Sequence, residues 1–387
     1  MLLLAAVVLS IFVYGVISSM LGSLLPTLGF TGDQNGTLAL TQATGLAIAS
    51  FTSGPLIENR GKKTAMVAGL AALSTALWVM PGASGNFRMA AAFWFLLGIG
   101  GGMMATASNS LISDIGGARR SSILNSANLF FGLGLMVTPY LAAHVFESDV
   151  RGLCYFGAAL ASITLTLHAL IRVPPPDHKQ RFSVAEAVGL LKIPILRWFA
   201  VLAFLYVACE VGMSNWLVKY LIAKGVERDD ALQILSLGFA LGLLIGRIAA
   251  WWILKHVTAA NVALGGSVLM ALSTLWVLLS GGNTTVVMAA VFCTGFAMGP
   301  VYPTVLGMVG DAFPKSTASA MGSVITCGWI GLAVSSRLIG AIAGANEGRL
   351  SQALFVFPLF SLAMIGVSFA LRKAADPKPF RNYRTSL

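Results

Sequence analysis

Long apolar stretches separated by short polar turns recur along the whole chain of 387 residues. A bilayer core about 30 Å thick is crossed by about 20 apolar residues in a helix, and each stretch has roughly that length. The pattern therefore predicts twelve spanning helices, the first of which begins at the N-terminus. Their expected ranges are 2–26, 34–56, 64–81, 89–111, 121–142, 153–172, 197–221, 231–253, 258–280, 285–309, 318–342 and 351–372.

The longest polar stretch between these helices, 174–194, reads "PPPDHKQRFSVAEAVGLLKIP". Its prolines and clustered charges end one helix and divide the set into six and six. We predict an all-α membrane protein with an N-terminal six-helix bundle over 1–172, a cytoplasmic linker over 173–195 and a C-terminal six-helix bundle over 196–387.

The two predicted bundles share a spacing that indicates an internal repeat. Asp114 and Asp311 lie 197 residues apart within similar polar turns, and Gly134 and Gly331 have the same offset. Two six-helix halves related by an axis along the membrane normal are a known transporter plan, with the substrate site between them near the midplane. This plan predicts secondary transport by alternating access.

Composition and charge agree with a membrane protein. The chain is 57% hydrophobic and 10% charged, whereas an ordinary soluble domain has about 25% charged residues. Of its 25 basic residues, 18 fall on the side assigned to the cytoplasm, Arg247 among them, and seven on the other. This bias predicts cytoplasmic termini in a plasma membrane, the inner membrane in a bacterium. The net charge of +11 is thus explained by the bilayer, without nucleic acid.

The sequence lacks the motifs that catalysis or metal binding would need. It has no nucleotide-binding Gly-Lys-Ser/Thr loop, no His/Cys cluster at metal-ligand spacing and only four histidines. We therefore expect no enzyme activity, no catalytic residue, no metal and no cofactor.

The turn after the second predicted helix, "GPLIENRGKK", resembles the loop signature of the major facilitator superfamily. Glycine permits close helix approach, the acid can pair with a base or cap a helix end, and the basic residues hold the loop at the inner headgroups. The resemblance implies a gating loop that pairs across the two bundles in the outward-open state; the alternative is a turn that serves topology alone. The candidate gating residues are Gly54, Glu58, Arg60, Gly61, Lys62 and Lys63.

Several polar or aromatic side chains lie within predicted spans and are candidates to bind a substrate. Amides both donate and accept hydrogen bonds, which suits neighbouring sugar hydroxyls, and aromatic rings can stack on a pyranose. The alternatives are hydrogen bonds that pack helices together and, for the aromatic residues, a place at the membrane interface. The candidates are Gln42, Asn109, Asn125, Asn128, Asn215, Trp216 and Tyr302.

Four blocks over both halves resemble the fucose:proton symporter group of this superfamily: "LISDIGGARRSSILNSANLFFGLGLMVTPYLA", "YVACEVGMSNWLVKYL", "LSLGFALGLLIGR" and "GPVYPTVLGMVGD". The resemblance implies transport of a sugar, such as a hexose, by a monomer. Gly22 and Ala105 stand where proton-coupled members have an Asp and a Glu. Uniport and proton coupling therefore both stay open, and a proton-coupled exporter of drugs or other small organic molecules is the alternative function.

Glu210 is the remaining acid deep in a span, where a charge costs at least roughly 2.5 kcal/mol. Counting helix rise places Arg337 about 10 Å nearer the outside and Arg247 about 7 Å nearer the inside, so no base is expected at its depth, although an arginine side chain could bridge part of the gap. Glu210 is then either a proton- or sugar-binding group or a protonated acid bonded to a neighbouring helix. Asn215, about 140° round the helix, is expected to share its cavity only if the helix distorts near Gly212.

Overall fold

Helices account for nearly all of the structure, a computed structural model that describes residues 2–24, 27, 28, 30, 32–83, 85–147, 149–173, 184–281, 283–343 and 349–374. In the first half these are α1 Leu2–Leu24, α2 Gly32–Arg60, α3 Lys62–Val79, α4 Phe87–Gly116, α5 Arg120–His144 and α6 Val150–Leu170. In the second they are α7 Val184–Leu190, α8 Pro194–Ala223, α9 Arg228–Gln233, α10 Leu241–Ile253, α11 Ala259–Leu279, α12 Thr284–Met298, α13 Val301–Ala312, α14 Thr317–Ala343, α15 Leu350–Ala353 and α16 Val356–Ala374.

Ten helical stretches among the described residues are long and apolar enough to span a membrane. One of them, Phe87–His144, has 58 residues and contains both α4 and α5. The 29-residue helix α2 is not among the ten, and its sequence is markedly more polar than that of its neighbours. Large apolar side chains on the outer surface, such as Leu272, Leu279 and Leu359, are exposed as lipid-facing residues are.

The two halves meet along two seams. At one seam α2 packs against α14, and at the other α5 packs against α10 and α13. Within the first half α1 packs on α5 and α2 on α4, and within the second α8 packs on α14 and α10 on α12. The repeated arrangement places residues of α1, α2 and α5 opposite residues of α8, α10 and α14.

Two irregular segments shape the second half near its seam. Residues Ile234–Ala240 form a π-helical segment between α9 and α10, a feature that often occurs at functional sites. Between α12 and α13 the helix is interrupted at Gly299 and Pro300. The next turn holds Pro303, which has no N–H to donate, so the carbonyl of Gly299 lacks its helical partner and is open to a side chain.

The predicted linker and tail are described only in part. The short helix α7 of the linker packs against α2 and α14. Residues 174–183 and 375–387 lie outside the described residues, and with them the basic side chains of the C-terminal tail. The predicted cytoplasmic position of the two termini stays a prediction.

Candidate functional site

A cavity lies between the two halves, walled by six helical segments. Its lining residues are Ser18, Gln42, Leu46, Phe131, Leu135, Glu210, Val211, Ser214, Asn215, Phe239, Trp329 and Leu332. The space open to the centres of water molecules is about 30 Å³. One water needs roughly 10 to 15 Å³, so the cavity in this conformation holds about two or three waters.

The cavity walls combine hydrogen-bonding groups with aromatic rings. Phe131 and Phe239 are contributed by opposite halves, and Trp329 by α14. The indole Nε1 of Trp329 is buried and has no hydrogen-bond partner among the described residues. An unpaired buried donor costs free energy, so this N–H is a polar group beside the cavity whose hydrogen bond is unmet in this conformation. Trp329 was not among the sequence candidates.

Three of the residues predicted to bind substrate or protons line the cavity. They are Gln42 on α2 and Glu210 and Asn215 on α8. The expectation that Glu210 and Asn215 could share it only through a distorted helix is wrong, because α8 continues unbroken from Pro194 to Ala223. Together with Val211 and Ser214 they occupy an arc of about 140°, which the cavity follows round the helix.

Glu210 has a basic partner, although helix rise placed no base at its depth. Arg247 Nη2 lies 3.5 Å from Glu210 Oε1, and the two side chains are 1% and 9% exposed. Arg247 is therefore a buried residue of α10. The charge count had wrongly assigned it to a cytoplasmic loop. Helix rise compares only Cα heights, whereas an arginine side chain reaches across most of the estimated 7 Å gap.

The guanidinium of Arg247 has further partners on both sides of the seam. Nε donates to the Gly299 carbonyl at 3.2 Å, the acceptor left free by Pro303. Nη1 donates to the main-chain carbonyl of Asn128, on α5 of the other half, at 2.5 Å. Phe131, also on α5, lies under the guanidinium with 5.1 Å between its ring centroid and Cζ. The buried cation thus connects the cavity acid with the opposite half.

The three asparagines predicted to face substrate do not line this cavity. Asn109, Asn125 and Asn128, here called the asparagine cluster, are all buried. Asn128 Nδ2 donates to Asn109 Oδ1 at 3.2 Å, and Asn125 Nδ2 donates to Thr304 Oγ1 across the seam at 3.0 Å. Each amide also donates to a carbonyl four residues earlier in its own helix. In this conformation the cluster bonds helices together.

The two aromatic candidates are likewise outside the cavity lining. Tyr302 stacks on Tyr206, with 5.8 Å between ring centroids and an interplanar angle of 15°. Trp216 lies under Lys219, whose Nζ is 6.0 Å from the ring centroid. Their predicted role in binding sugar stays a prediction.

The α2–α3 loop and the neighbouring turns at Gly117–Arg119 and Phe313–Ser316 form one end of the molecule, here called the basic-loop end. Gly54 packs so closely on α14 that a Cβ there would lie 2.7 Å from Ser319 Cα. Glu58 Oε1 accepts from the Ser319 backbone N–H at 3.4 Å, a contact between halves at the first turn of α14. Gly61 turns the loop with φ of 85°.

The predicted pairing of the loop lysines across the bundles is wrong. Lys62 pairs with Asp114 at 2.8 Å, and Lys63 Nζ donates to the carbonyls of Ala169 and Ile171, all within the first half. These partners lie at the ends of α4 and α6, beside the loop, so the lysines reach them first. Arg60 is exposed.

A cation that does cross between the halves at this end is Arg120. Its Nη1 donates to the Gly310 carbonyl at 2.8 Å and lies 3.2 Å from Asp311 Oδ1. The repeated turns that contain Arg120 and Asp311 were recognised in the sequence, but their contact was not predicted. Only the spatial meeting of α5 with α13 shows it.

Comparison with known proteins decides the family. The family model of the Major Facilitator Superfamily matches residues 3–336. The chain belongs to the major facilitator superfamily. As a superfamily member it is a multi-pass membrane transporter, as predicted, and not an enzyme.

Individual similar proteins extend this comparison. A superfamily transporter named FucP, solved in the outward conformation, superimposes with a TM-score of 0.77 over 95% of this chain and 98% of its own, at 18% identity. The gentisate transporter of Corynebacterium glutamicum is 24% identical over 93% of this chain and 83% of its own length. Bypass of stop codon protein 6 of Saccharomyces cerevisiae is 26% identical over a matched region that covers 40% of this chain and 33% of that protein.

Proposed function

We propose that this superfamily member is a secondary transporter that moves a monosaccharide such as a hexose through the cavity between its halves. The observation that carries the proposal is the make-up of the cavity wall, in which Gln42, Glu210 and Asn215 stand among the rings of Phe131, Phe239 and Trp329. A sugar has hydroxyls that both donate and accept hydrogen bonds and C–H faces that pack on aromatic rings. Both features of such a solute find partners here.

The proposed architecture has twelve spans in two six-helix bundles, 1–172 and 196–387. The ten apolar stretches become eleven when α4 and α5 are counted separately, and the polar helix α2 is the twelfth. The polarity of α2 has a reason in this scheme, because Gln42 turns towards the cavity and Glu58 towards α14. The basic-loop end faces the cytoplasm of the plasma membrane, and the monomer is the working unit.

Alternating access follows from the cavity's size. A volume that holds about two or three waters cannot hold a hexose, so solute binding requires the halves to separate at one end. The contacts of Glu58 and Arg120 with the second half close the basic-loop end in this conformation. Rocking of one half against the other about the cavity opens that end and closes the opposite one.

We propose uniport as the mode of energy use. Gly22 and Ala105 offer no acid, and Glu210, the remaining candidate for proton coupling, is occupied by Arg247. A solute is driven uphill only when its binding is linked to that of an ion, and a carboxylate that lies beside a guanidinium is a poor site for that linkage.

Export of an aromatic organic acid or a drug is the second candidate function. Three aromatic rings in so small a cavity favour a planar apolar solute. A transporter whose name assigns it gentisate is similar over 93% of this chain. Arg247, close behind Glu210, offers a cation for a carboxylate if Glu210 is displaced.

Counterflow in proteoliposomes separates the two candidates. Purified protein is reconstituted into vesicles preloaded with unlabelled solute, and uptake of a labelled trace is followed for a panel of hexoses and for aromatic acids. We expect uptake of a hexose, reduced by Gln42→Ala and Asn215→Ala and unaffected by Lys219→Ala, which lies outside the cavity. Uptake of aromatic acids alone would establish the second candidate and refute the first.

A further inference from the structure

Arg247 is a buried cation beside the cavity, and the proposed binding of a hexose gives it no role. A buried cation is costly unless it is paired and hydrogen-bonded. Its partners come from three places: Glu210 in the cavity wall, Gly299 at the break before α13, and Asn128 on the opposite half. Two of these belong to the half that carries Arg247, and the third does not.

Separation of the seam therefore affects the partners of Arg247 unequally. When α5 moves away from α10, the contact with the Asn128 carbonyl is lost, whereas Gly299 and Glu210 move together with Arg247. Three acceptors then remain beside the guanidinium, and among them the Glu210 carboxylate is charged whereas the Gly299 carbonyl and the Tyr206 hydroxyl are neutral. At 3.5 Å the present Nη2 to Oε1 contact is longer than the 2.7 to 2.9 Å usual for charge-assisted bonds, so there is room for a tighter pair to form.

We propose that Arg247 is a positioning residue that exchanges partners during alternating access. With the α5–α10 seam closed it is bonded to the Asn128 carbonyl, and the Glu210 carboxylate is left to face the cavity. With the seam open at the basic-loop end it is held by Glu210, which is thereby withdrawn from the solute. The inference rests on the proposed alternating access, but it depends on no particular solute.

The exchange predicts opposite effects for the two members of the pair. Arg247→Gln removes the cation that bonds to Asn128 and therefore favours the open basic-loop end. Glu210→Gln removes the partner that Arg247 needs after opening and therefore favours the closed end. A pair that merely supports the fold would be disturbed in the same way by either change.

Labelling of single cysteines measures the two ends without a solute. The four native cysteines are replaced by alanine, and a reporter is introduced as Ser319→Cys or Ser236→Cys. Ser319 lies at the basic-loop end of the α2–α14 seam, away from Arg247, while Ser236 donates across the other seam to the Met136 carbonyl near the opposite end. A water-soluble maleimide is added to the purified protein in detergent, where both ends are accessible.

We expect Arg247→Gln to raise the labelling rate at Ser319→Cys by about tenfold, because a hydrogen bond from a charged group is lost. The labelling rate at Ser236→Cys should stay the same or fall. Glu210→Gln should lower the rate at Ser319→Cys. Arg247→Lys should give an intermediate rise, because an ammonium keeps the charge but not the fork of donors. It also serves as the readout if Arg247→Gln fails to fold.

Arg120→Gln is the matched control, since Arg120 also crosses the halves but contacts Gly310 and Asp311 rather than the cavity. It should raise labelling at Ser319→Cys, and adding Glu210→Gln should still lower it. In Arg247→Gln, adding Glu210→Gln should change nothing, because the exchange has already been removed. The proposal is overturned if Glu210→Gln and Arg247→Gln shift labelling in the same direction, or if Glu210→Gln acts equally with and without Arg247. A failed counterflow screen would refute the proposed solutes and leave these labelling results unaffected.

Discussion

The cavity and the asparagine cluster are two groups of polar side chains at the junction of the halves, and they differ in how their hydrogen bonds are met. The cluster's Nδ2 groups all donate to carbonyls in their own helices, and two of them also bond to a neighbouring helix. The cavity instead is lined by a carboxylate, by amides and by Trp329, whose buried Nε1 has no partner among the described residues. Polarity within the membrane is thus used once for cohesion between helices and once, in the function proposed above, for a ligand.

Residue type alone therefore does not distinguish an amide that bonds helices together from one that lines the cavity. Asn109, Asn125 and Asn128 are chemically as suitable for a sugar as Gln42 and Asn215. Asn125 Oδ1 is a buried acceptor of the cluster that has no hydrogen-bond donor among the described residues. If the seam opens at the basic-loop end, this oxygen is the part of the cluster that we expect a solute to reach first.

The largest effect is expected from Glu210→Ala. It leaves the Arg247 guanidinium buried without an anion, which destabilises a protein by about 3 to 5 kcal/mol, and solute counterflow should be lost. Thermal unfolding in detergent measures the first and proteoliposomes the second. The double replacement Glu210→Met with Arg247→Met should restore most of the unfolding temperature but not counterflow. Recovery of both would show that the pair has no part in transport.

Truncation of a cavity amide should have a smaller effect that is confined to affinity. Gln42→Ala and Asn215→Ala each remove a partner of the solute, and we expect affinity to fall by about 1 to 3 kcal/mol with little change in unfolding temperature. Isothermal titration with the hexose found by counterflow checks this. Equal losses of affinity from Asn128→Ala would contradict the distinction between cavity and cluster.

The cluster should respond in the opposite way, with a modest loss of stability. Asn125→Ala deletes the bond to Thr304 across the seam, and interhelical hydrogen bonds in membrane proteins contribute on average about 0.6 kcal/mol. A double-mutant cycle with Thr304→Val isolates this contribution in thermal unfolding. A coupling energy near zero would mean that the contact does not hold the seam.

Much of the fold could be predicted from sequence because a bilayer imposes length and hydropathy on every span. The turn between α2 and α3 was evident for the same reason, and the division near residue 174 stays a prediction. The partners of Lys62, Lys63 and Arg247 could not be predicted, since they depend on which helix ends meet and on the reach of a flexible side chain. Trp329 was missed because one tryptophan in an apolar span gives no sign that its N–H lacks an acceptor.

The last prediction is that sugar transport moves no protons. If Glu210 serves Arg247 rather than a proton, addition of the transported hexose to lightly buffered proteoliposomes should cause no alkalinisation. Coupling needs a group that exchanges a proton between the two access states, and in the partner exchange proposed above Glu210 stays beside a guanidinium in both. A pH-sensitive dye outside the vesicles reports the flux, with Glu210→Gln as the comparison. Alkalinisation that Glu210→Gln abolishes while counterflow persists would make Glu210 the coupling site and replace uniport by symport; alkalinisation that survives it would place the coupling group elsewhere, against both readings of Glu210.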